Sequence, residues 1–197
     1  MGVDKLIRKV FLTTFSGILL LFALMLGALC LAFPSTMMEI TYNLGMESAS
    51  IHFAERAYDV FDDIHYIACA TEISVEEHKN GKIVSCGEQF IADDGFKAYC
   101  EAKGGAYEQF IYGRVCLSKY EKGDKANAIT LAFESLDGKF PENNAVAAVL
   151  LSAMRANDKE TVWTIKEKLN TVNGVSEGDK GYLDDTLNVI AQWENEQ

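Results

Sequence analysis

Polar and apolar positions divide this chain into two unlike parts. Val10–Phe33 reads VFLTTFSGILLLFALMLGALCLAF, twenty-four residues without a charge. A bilayer core is crossed by about 20 apolar residues in a helix, and a helix pairs all its own backbone groups there. The run therefore predicts one transmembrane helix over residues 10–33, behind a short basic segment, residues 1–9. From Pro34 onward, short segments with apolar residues at three- and four-residue spacing alternate with turn signals. No alternating run is long enough to make a strand, and the only prolines are Pro34 and Pro141. The reading is all-α.

The turn signals set the expected helices. After a break or new first turn at Pro34-Ser35 come Met38–Glu47, Ile51–Phe61 and Asp63–His78, the last stopped by Asn80-Gly81. Lys82–Ala92, Phe96–Lys103 and Ala106–Glu121 follow, ended by Asp93-Asp94-Gly95, Gly104-Gly105 and Gly123-Asp124. Lys125–Leu136, Pro141–Ala156, Lys159–Thr171 and Lys180–Glu194 complete the series, with a stop near Asn173-Gly174. Asn157 with Glu160 three residues on fits a capping box; Ser74 with Glu77 fits the spacing but sits inside a helix. Tyr107, Phe110/Ile111, Val115 and Ser118 mark one apolar face, and Ala145, Val149, Ser152/Ala153 and Ala156 another. Turns of two to five residues make successive helices antiparallel neighbours, as in a bundle or a stacked α-solenoid.

A repeat favours the solenoid. Tyr112, Val115 and Cys116 precede the turn at Gly123-Asp124, and Val146, Val149 and Leu150 precede the turn at Asn157-Asp158. The step from the first turn to the second matches the period of a two-helix tetratricopeptide unit, about 34 residues. The stretch YGRVCLSKYEKGDKANAITLAFESLDGKFPEN resembles one such repeat, with small residues at close-packed points and Pro141 near the end. Leu44-Gly45 with Ala57 and Phe61, and Asn80-Gly81 with Cys86 and Phe90, resemble degenerate further copies. The resemblance spans residues 38–171 and is closest over 107–171. It departs from the family at Lys166, where a large apolar residue is usual, and between Gly81 and Gly123, an interval longer than one period. It implies a tetratricopeptide-like α-solenoid over residues 34–175, closed by a capping helix in residues 176–197. It also implies a concave protein-binding groove.

Charge narrows the function. The chain has 18 Lys and Arg against 29 Asp and Glu, a net charge of −11. Lys5, Arg8 and Lys9 against Asp4 precede the span, so residues 34–197 carry −13. Phosphate backbones repel such a domain, which argues against nucleic acid as a partner, and the same charge keeps it off anionic lipid surfaces. Protein partners with basic segments are expected instead. The basic residues before the span put the N-terminus in the cytoplasm and residues 34–197 outside, a single-pass topology. A cleaved signal peptide has an apolar core of 7–15 residues and a small-x-small site; here the run is longer, and Leu29 interrupts Ala28-Leu29-Cys30. Leu29 also spoils a lipobox at Cys30, and Leu6 stands where a myristoylation signal at Gly2 needs Ser or Thr.

Chemistry is sparse. Cys69, Cys86, Cys100 and Cys116 lie outside the span, and an even number in an extracytoplasmic domain invites disulfides. About a turn at Asn80, Cys69 and Cys86 come near to facing each other; Cys100 and Cys116 do so about Gly104-Gly105. Small buried core residues are the competing reading, since cysteine is among the most buried types. The cysteine spacings contain no C-x-x-C half-site, and with His52, His65 and His78 they suggest no zinc site. No H-E-x-x-H, phosphate loop or nucleophile elbow is present. Asp62-Asp63, Asp93-Asp94 and Asp184-Asp185 are expected at helix starts, serving the backbone and dipole, and Trp163 and Trp193 in the core or cap. No catalytic, cofactor-binding or metal-ligating residue is assigned. Two functions remain: a membrane-anchored interaction module, or an accessory subunit that contacts a membrane complex through the span. For the second, Gly17, Gly27 and Ala28 permit close helix approach, and Thr13, Thr14 and Ser16 offer hydrogen bonds.

Overall fold

A computed structural model describes residues 3–172 and 175–196, with side chains from residue 7 onward. Gly2, the Asn173-Gly174 stop and the side chains of Asp4 and Lys5 lie outside the described residues. Within them the chain forms eleven α-helices and no strand. α1 (Val3–Ala32) holds the apolar run, and its segment Ile7–Ala32 is long and apolar enough to cross a membrane. At 1.5 Å per residue those 26 residues measure about 39 Å, against a hydrocarbon core of about 30 Å. The protein buries none of this segment's most apolar window.

The other helices are α2 (Pro34–Asn43), α3 (Glu47–Phe61), α4 (Ile64–Glu76), α5 (Asn80–Ala92), α6 (Phe96–Lys103), α7 (Ala106–Glu121), α8 (Lys125–Glu134), α9 (Ala145–Arg155), α10 (Lys159–Thr171) and α11 (Glu177–Asn195). The chain divides by its packing into Met1–Tyr66 and Ile67–Gln197, a division that turn spacing alone does not show.

Four of the turns share one backbone shape. Gly45, His78, Gly123 and Asn157 each take a positive φ, of 67°, 53°, 88° and 52°. The next residue in each case donates its N–H to a carbonyl five residues back: Met46 to Thr41 (2.8 Å), Lys79 to Ser74 (3.0 Å), Asp124 to Lys119 (2.9 Å) and Asp158 to Ala153 (2.9 Å). This closure satisfies carbonyls that the helix end leaves unpaired. A new helix starts on the residue after that. The intervals from Gly45 to His78 and from Gly123 to Asn157 are nearly equal; the one between, from His78 to Gly123, is longer. Burial repeats in the same register. Thr41, Ser74, Lys119 and Ala153, four residues before each turn, are buried, as are Met38, Thr71, Cys116 and Leu150, seven before. So are Ser50, Ile83, Ala128 and Val162, five residues after, and Ala57, Phe90, Ser135 and Leu169, twelve after. The long interval contains α6, whose Phe96 packs edge-on against Phe90 and Tyr112, at ring-centroid distances of 4.9 and 5.6 Å.

Several expected boundaries move. Asn80-Gly81 does not stop a helix: His78 makes the turn and Asn80 opens α5. There the Asn80 amide donates to Glu121 Oε2 (2.7 Å), and its carbonyl accepts from the Ser118 hydroxyl (3.4 Å). α2 begins at Pro34, whose fixed φ suits a first turn, and α3 at Glu47. α9 begins at Ala145 rather than Pro141. Asn144 is its cap, accepting from Ala147 N (2.9 Å) while its amide donates to the Pro141 carbonyl (2.7 Å). Asp158, not Asn157, caps α10, because Asn157 is consumed by the left-handed turn. Asp62 likewise ends α3 at a φ of 52°, and Asp184-Asp185 lie inside α11, which starts at Glu177. Trp163 is 57 % exposed, since Val162, Ile165 and Leu169 already fill the inner face of α10.

In the second unit α7 is central, packing on α5, α6, α8 and α9. α9 then packs on α8 and α10, and α10 on α11. A continuous core runs from Cys116 to Ile190, closed at the α8–α9 loop by the fully buried Phe140. Leu183, Leu187 and Trp193 of α11 lie against it.

Candidate functional site

One strip of α7 is not used by the core. Tyr107, Phe110, Arg114 and Leu117 lie along it at spacings of three and four, which share a helix face. Gly113 on the same helix faces α9 with ordinary spacing: a Cβ there would stand 3.8 Å from Ala148 Cβ and 4.0 Å from Ala145 Cα. Between the two helices runs a mainly apolar groove of about 310 Å³, with Phe110, Arg114 and Leu117 on one wall and Ala147, Ala148 and Leu151 on the other. Phe110 and Leu151 each remain 47 % exposed. Arg114 Nε is buried without a hydrogen-bond partner, a costly state for a polar group. Gln109 fixes the groove's end, its amide donating to the Ser135 carbonyl (2.8 Å) and its carbonyl accepting from Ala145 N (3.3 Å).

At the N-terminal end of the strip, next to Gln109, α4 and α6 meet α7 around a charge. Tyr107 donates its hydroxyl to Glu72 Oε1 at 2.5 Å. Lys103 Nζ lies 3.6 Å from the same oxygen, and 5.5 and 5.8 Å from the ring centroids of Tyr99 and Tyr107. Burial, then the bond to Glu72, pushes the Tyr107 hydroxyl well above its usual range. The Glu72 charge, and after it the Tyr99 hydroxyl, raise Lys103, so the ammonium stays charged. A carboxylate and two ring faces around one cation form a cation-binding arrangement.

The cysteines outside the apolar helix lie on four successive helices. Cys69 is half-buried on α4; Cys86, Cys100 and Cys116 are buried on α5, α6 and α7, and all are thiols in the structure. Burial pushes the Cys100 and Cys116 thiols up to about 12, so neither is a thiolate near neutral pH. Among the described residues no three His, Cys, Asp or Glu side chains gather as metal ligands. Trp163 and Trp193 instead border an open depression of about 410 Å³ with Lys159, Glu160, Val162 and Glu194.

Sequence reasoning missed Glu72, Tyr99, Lys103 and Arg114. The available signal was the overlong interval before Gly123, because that is where α6 enters. Fold and site together give an all-helical protein with one long apolar N-terminal helix, a groove between α7 and α9, and Glu72 of α4 bonded at the start of α7. No protein-family model, curated protein or solved structure matches the chain.

Proposed function

We propose that this chain is a single-pass, membrane-anchored helical-repeat protein whose exposed face on α4, α7 and α9 binds a partner protein. The observation that carries the reading is the groove beside α7. Repeated turns and repeated burial build a regular helical support, yet Phe110 and Leu151 on it stay 47 % exposed and the Arg114 Nε is buried without a hydrogen-bond partner. Exposed apolar surface framed by polar groups is characteristic of interaction sites. The repeated turn supports a tetratricopeptide-like solenoid over residues 34–175, with α6 as an insertion and α11 as the cap. The apolar segment of α1 supports the anchor, and Lys5, Arg8 and Lys9 before it support a cytoplasmic N-terminus with residues 34–197 outside. The net acidity supports a partner with basic segments. We assign no catalytic step to any residue.

An affinity pull-down from detergent-solubilised membranes, at low and moderate salt, tests this. The wild-type chain recovers a specific partner at both salts, and Leu151→Asp, which puts a charge into the groove, recovers at least ten-fold less. Recovery of no specific partner at either salt overturns the proposal. The rival reading, an accessory subunit held through its span, has one structural observation behind it: an added Cβ at Gly17 or Gly27 would meet nothing within 4 Å, leaving both faces open. Replacing Val10–Phe33 with an unrelated apolar helix separates the two. Capture retained favours the groove, and capture lost favours the span.

A further inference from the structure

α6 is the element that breaks the regular spacing of the turns, and it delivers Tyr99 and Lys103 to Glu72 and Tyr107. Departures from a fold's own regularity are where function is expected. α6 has only eight residues and is bounded by Gly95 and by Gly104-Gly105, with Gly104 at a φ of 113° that few other residues adopt. Its last residue, Lys103, keeps 46 % of its side chain exposed, so moving it away opens no core. The ammonium rests on Glu72 and two rings that belong to, or pack on, the proposed binding face, and the ring of Phe110 in the groove lies 6.3 Å from the Tyr107 ring.

We propose that Glu72, Tyr99 and Tyr107 form a recognition site for an alkylammonium group, the lysine side chain of a basic partner segment, and that Lys103 is a resident occupant which the partner displaces. This rests on the α4–α7–α9 face being the binding surface. The chemistry is matched. Glu72 supplies one full negative charge, and the rings supply negative faces that attract a cation at about 6 Å. A domain of net charge −13 attracts basic segments from a distance. An exposed ion pair such as Lys103–Glu72 gains little from water-screened attraction, so exchanging one ammonium for another is cheap. Lys103 then sets specificity, since only a cation that binds better than the tethered one takes its place.

The test uses the full chain in mild detergent with its tyrosine rings ¹³C-labelled. It is titrated with N-acetyl-trimethyllysine methylamide, and with N-acetyl-norleucine methylamide as the uncharged match. Lys103→Met keeps the apolar stem and removes the competing charge; it binds the trimethyllysine probe at least ten-fold more tightly than wild type, with saturable shifts at Tyr99 and Tyr107. Adding Glu72→Gln reverses that gain. Equal affinity in wild type and Lys103→Met overturns the proposal, and so does an uncharged probe that moves the same resonances. Partner capture distinguishes the two readings. Capture lost in Leu151→Asp but unchanged in Glu72→Gln rejects this site alone, whereas capture indifferent to Leu151→Asp rejects the face as a whole.

Discussion

α7 packs against α5 on one side and α9 on the other, and each seam passes through a helical glycine. The two glycines do different things. At Gly87 on α5, an added Cβ would sit 2.3 Å from Val115 Cγ2, a distance no real contact tolerates. At Gly113 on α7, the nearest atom would be Ala148 Cβ at 3.8 Å, an ordinary contact. The first seam is close because it must be; the second retains space it does not need. Each seam also carries a polar tie near its turns. Across α5/α7, the buried Lys119 meets Glu88 at 2.5 Å, and it also pairs with Asp124 at the start of α8 at 3.5 Å. At the α7/α9 seam, Asp158 in the turn after α9 accepts from Tyr120 of α7 (2.9 Å), and it also accepts from Thr161 of α10 (2.7 Å) and pairs with Lys125 of α8 (2.7 Å). The same residue type at matching seams can be a steric requirement in one place and a relic of the backbone in another.

The largest expected effect follows from the tight seam. Gly87→Ala forces Val115, a stiff β-branched residue, or the α5 backbone to move, and overpacking of this kind costs about 1–3 kcal/mol. With so deep an overlap the cost falls in the upper part of that range and exceeds the gain of up to about 1 kcal/mol in helix propensity. Urea unfolding of the full chain in detergent, followed by circular dichroism, should show the loss, and adding Val115→Ala should return part of it. A Gly87→Ala chain as stable as wild type would remove the distinction between the seams.

Next comes the polar tie at Asp158. Burial alone would raise this carboxyl, but bonds from Lys125, Thr161 and Tyr120 outweigh it and hold it down to about 2, from an ordinary 3.8. A carboxylate depressed in the folded state stabilises above its unfolded pKa, and that contribution is lost as pH falls through the folded value. The difference sets an upper limit of about 2.4 kcal/mol, lost between about pH 4 and pH 2. Asp158→Asn should be less stable than wild type at pH 7, and the gap should close toward pH 2. A gap independent of pH would show that the carboxylate is not the source.

The helical class and most elements were legible in the sequence because turn chemistry and three-four spacing are local. α6, α7 and α10 begin and end where the residues say. What was not legible depends on packing. Asn80-Gly81 carries a stop signal, but its amide is used between helices, so the turn moves to His78. Trp163 has the composition of a core residue, yet three aliphatic neighbours fill the inner face first. The cation site joins Glu72 to Tyr107, 35 residues on, and no local pattern states that α6 will fold back between them. The excess length before Gly123 marked the place but not its content.

The relaxed seam predicts a gain. Gly113→Ala meets only ordinary contacts and replaces a mid-helix glycine, so stability should rise by about 0.5–1 kcal/mol. A loss of stability, read by the same urea unfolding, would mean that α9 lies closer to α7 than the Ala148 contact allows.

The smallest effects concern the turns that begin each second helix. His78 and Asn157 adopt the same left-handed conformation as Gly45 and Gly123 while carrying a Cβ. That conformation costs most L-residues about 1–2 kcal/mol, and asparagine less, because its short amide suits it. Both side chains are exposed, so replacement by glycine removes backbone strain with little lost packing. Against that gain stands the greater freedom of glycine in the unfolded chain, about 0.4–1 kcal/mol. His78→Gly should therefore gain about 0.5 kcal/mol, and Asn157→Gly should stay within about 0.3 kcal/mol of wild type. The ranking matters more than either value. If Asn157→Gly gained more than His78→Gly, the turn at Asn157 would be held by something other than its five-residue closure, and the likeness of the turns would be one of shape without shared energetics.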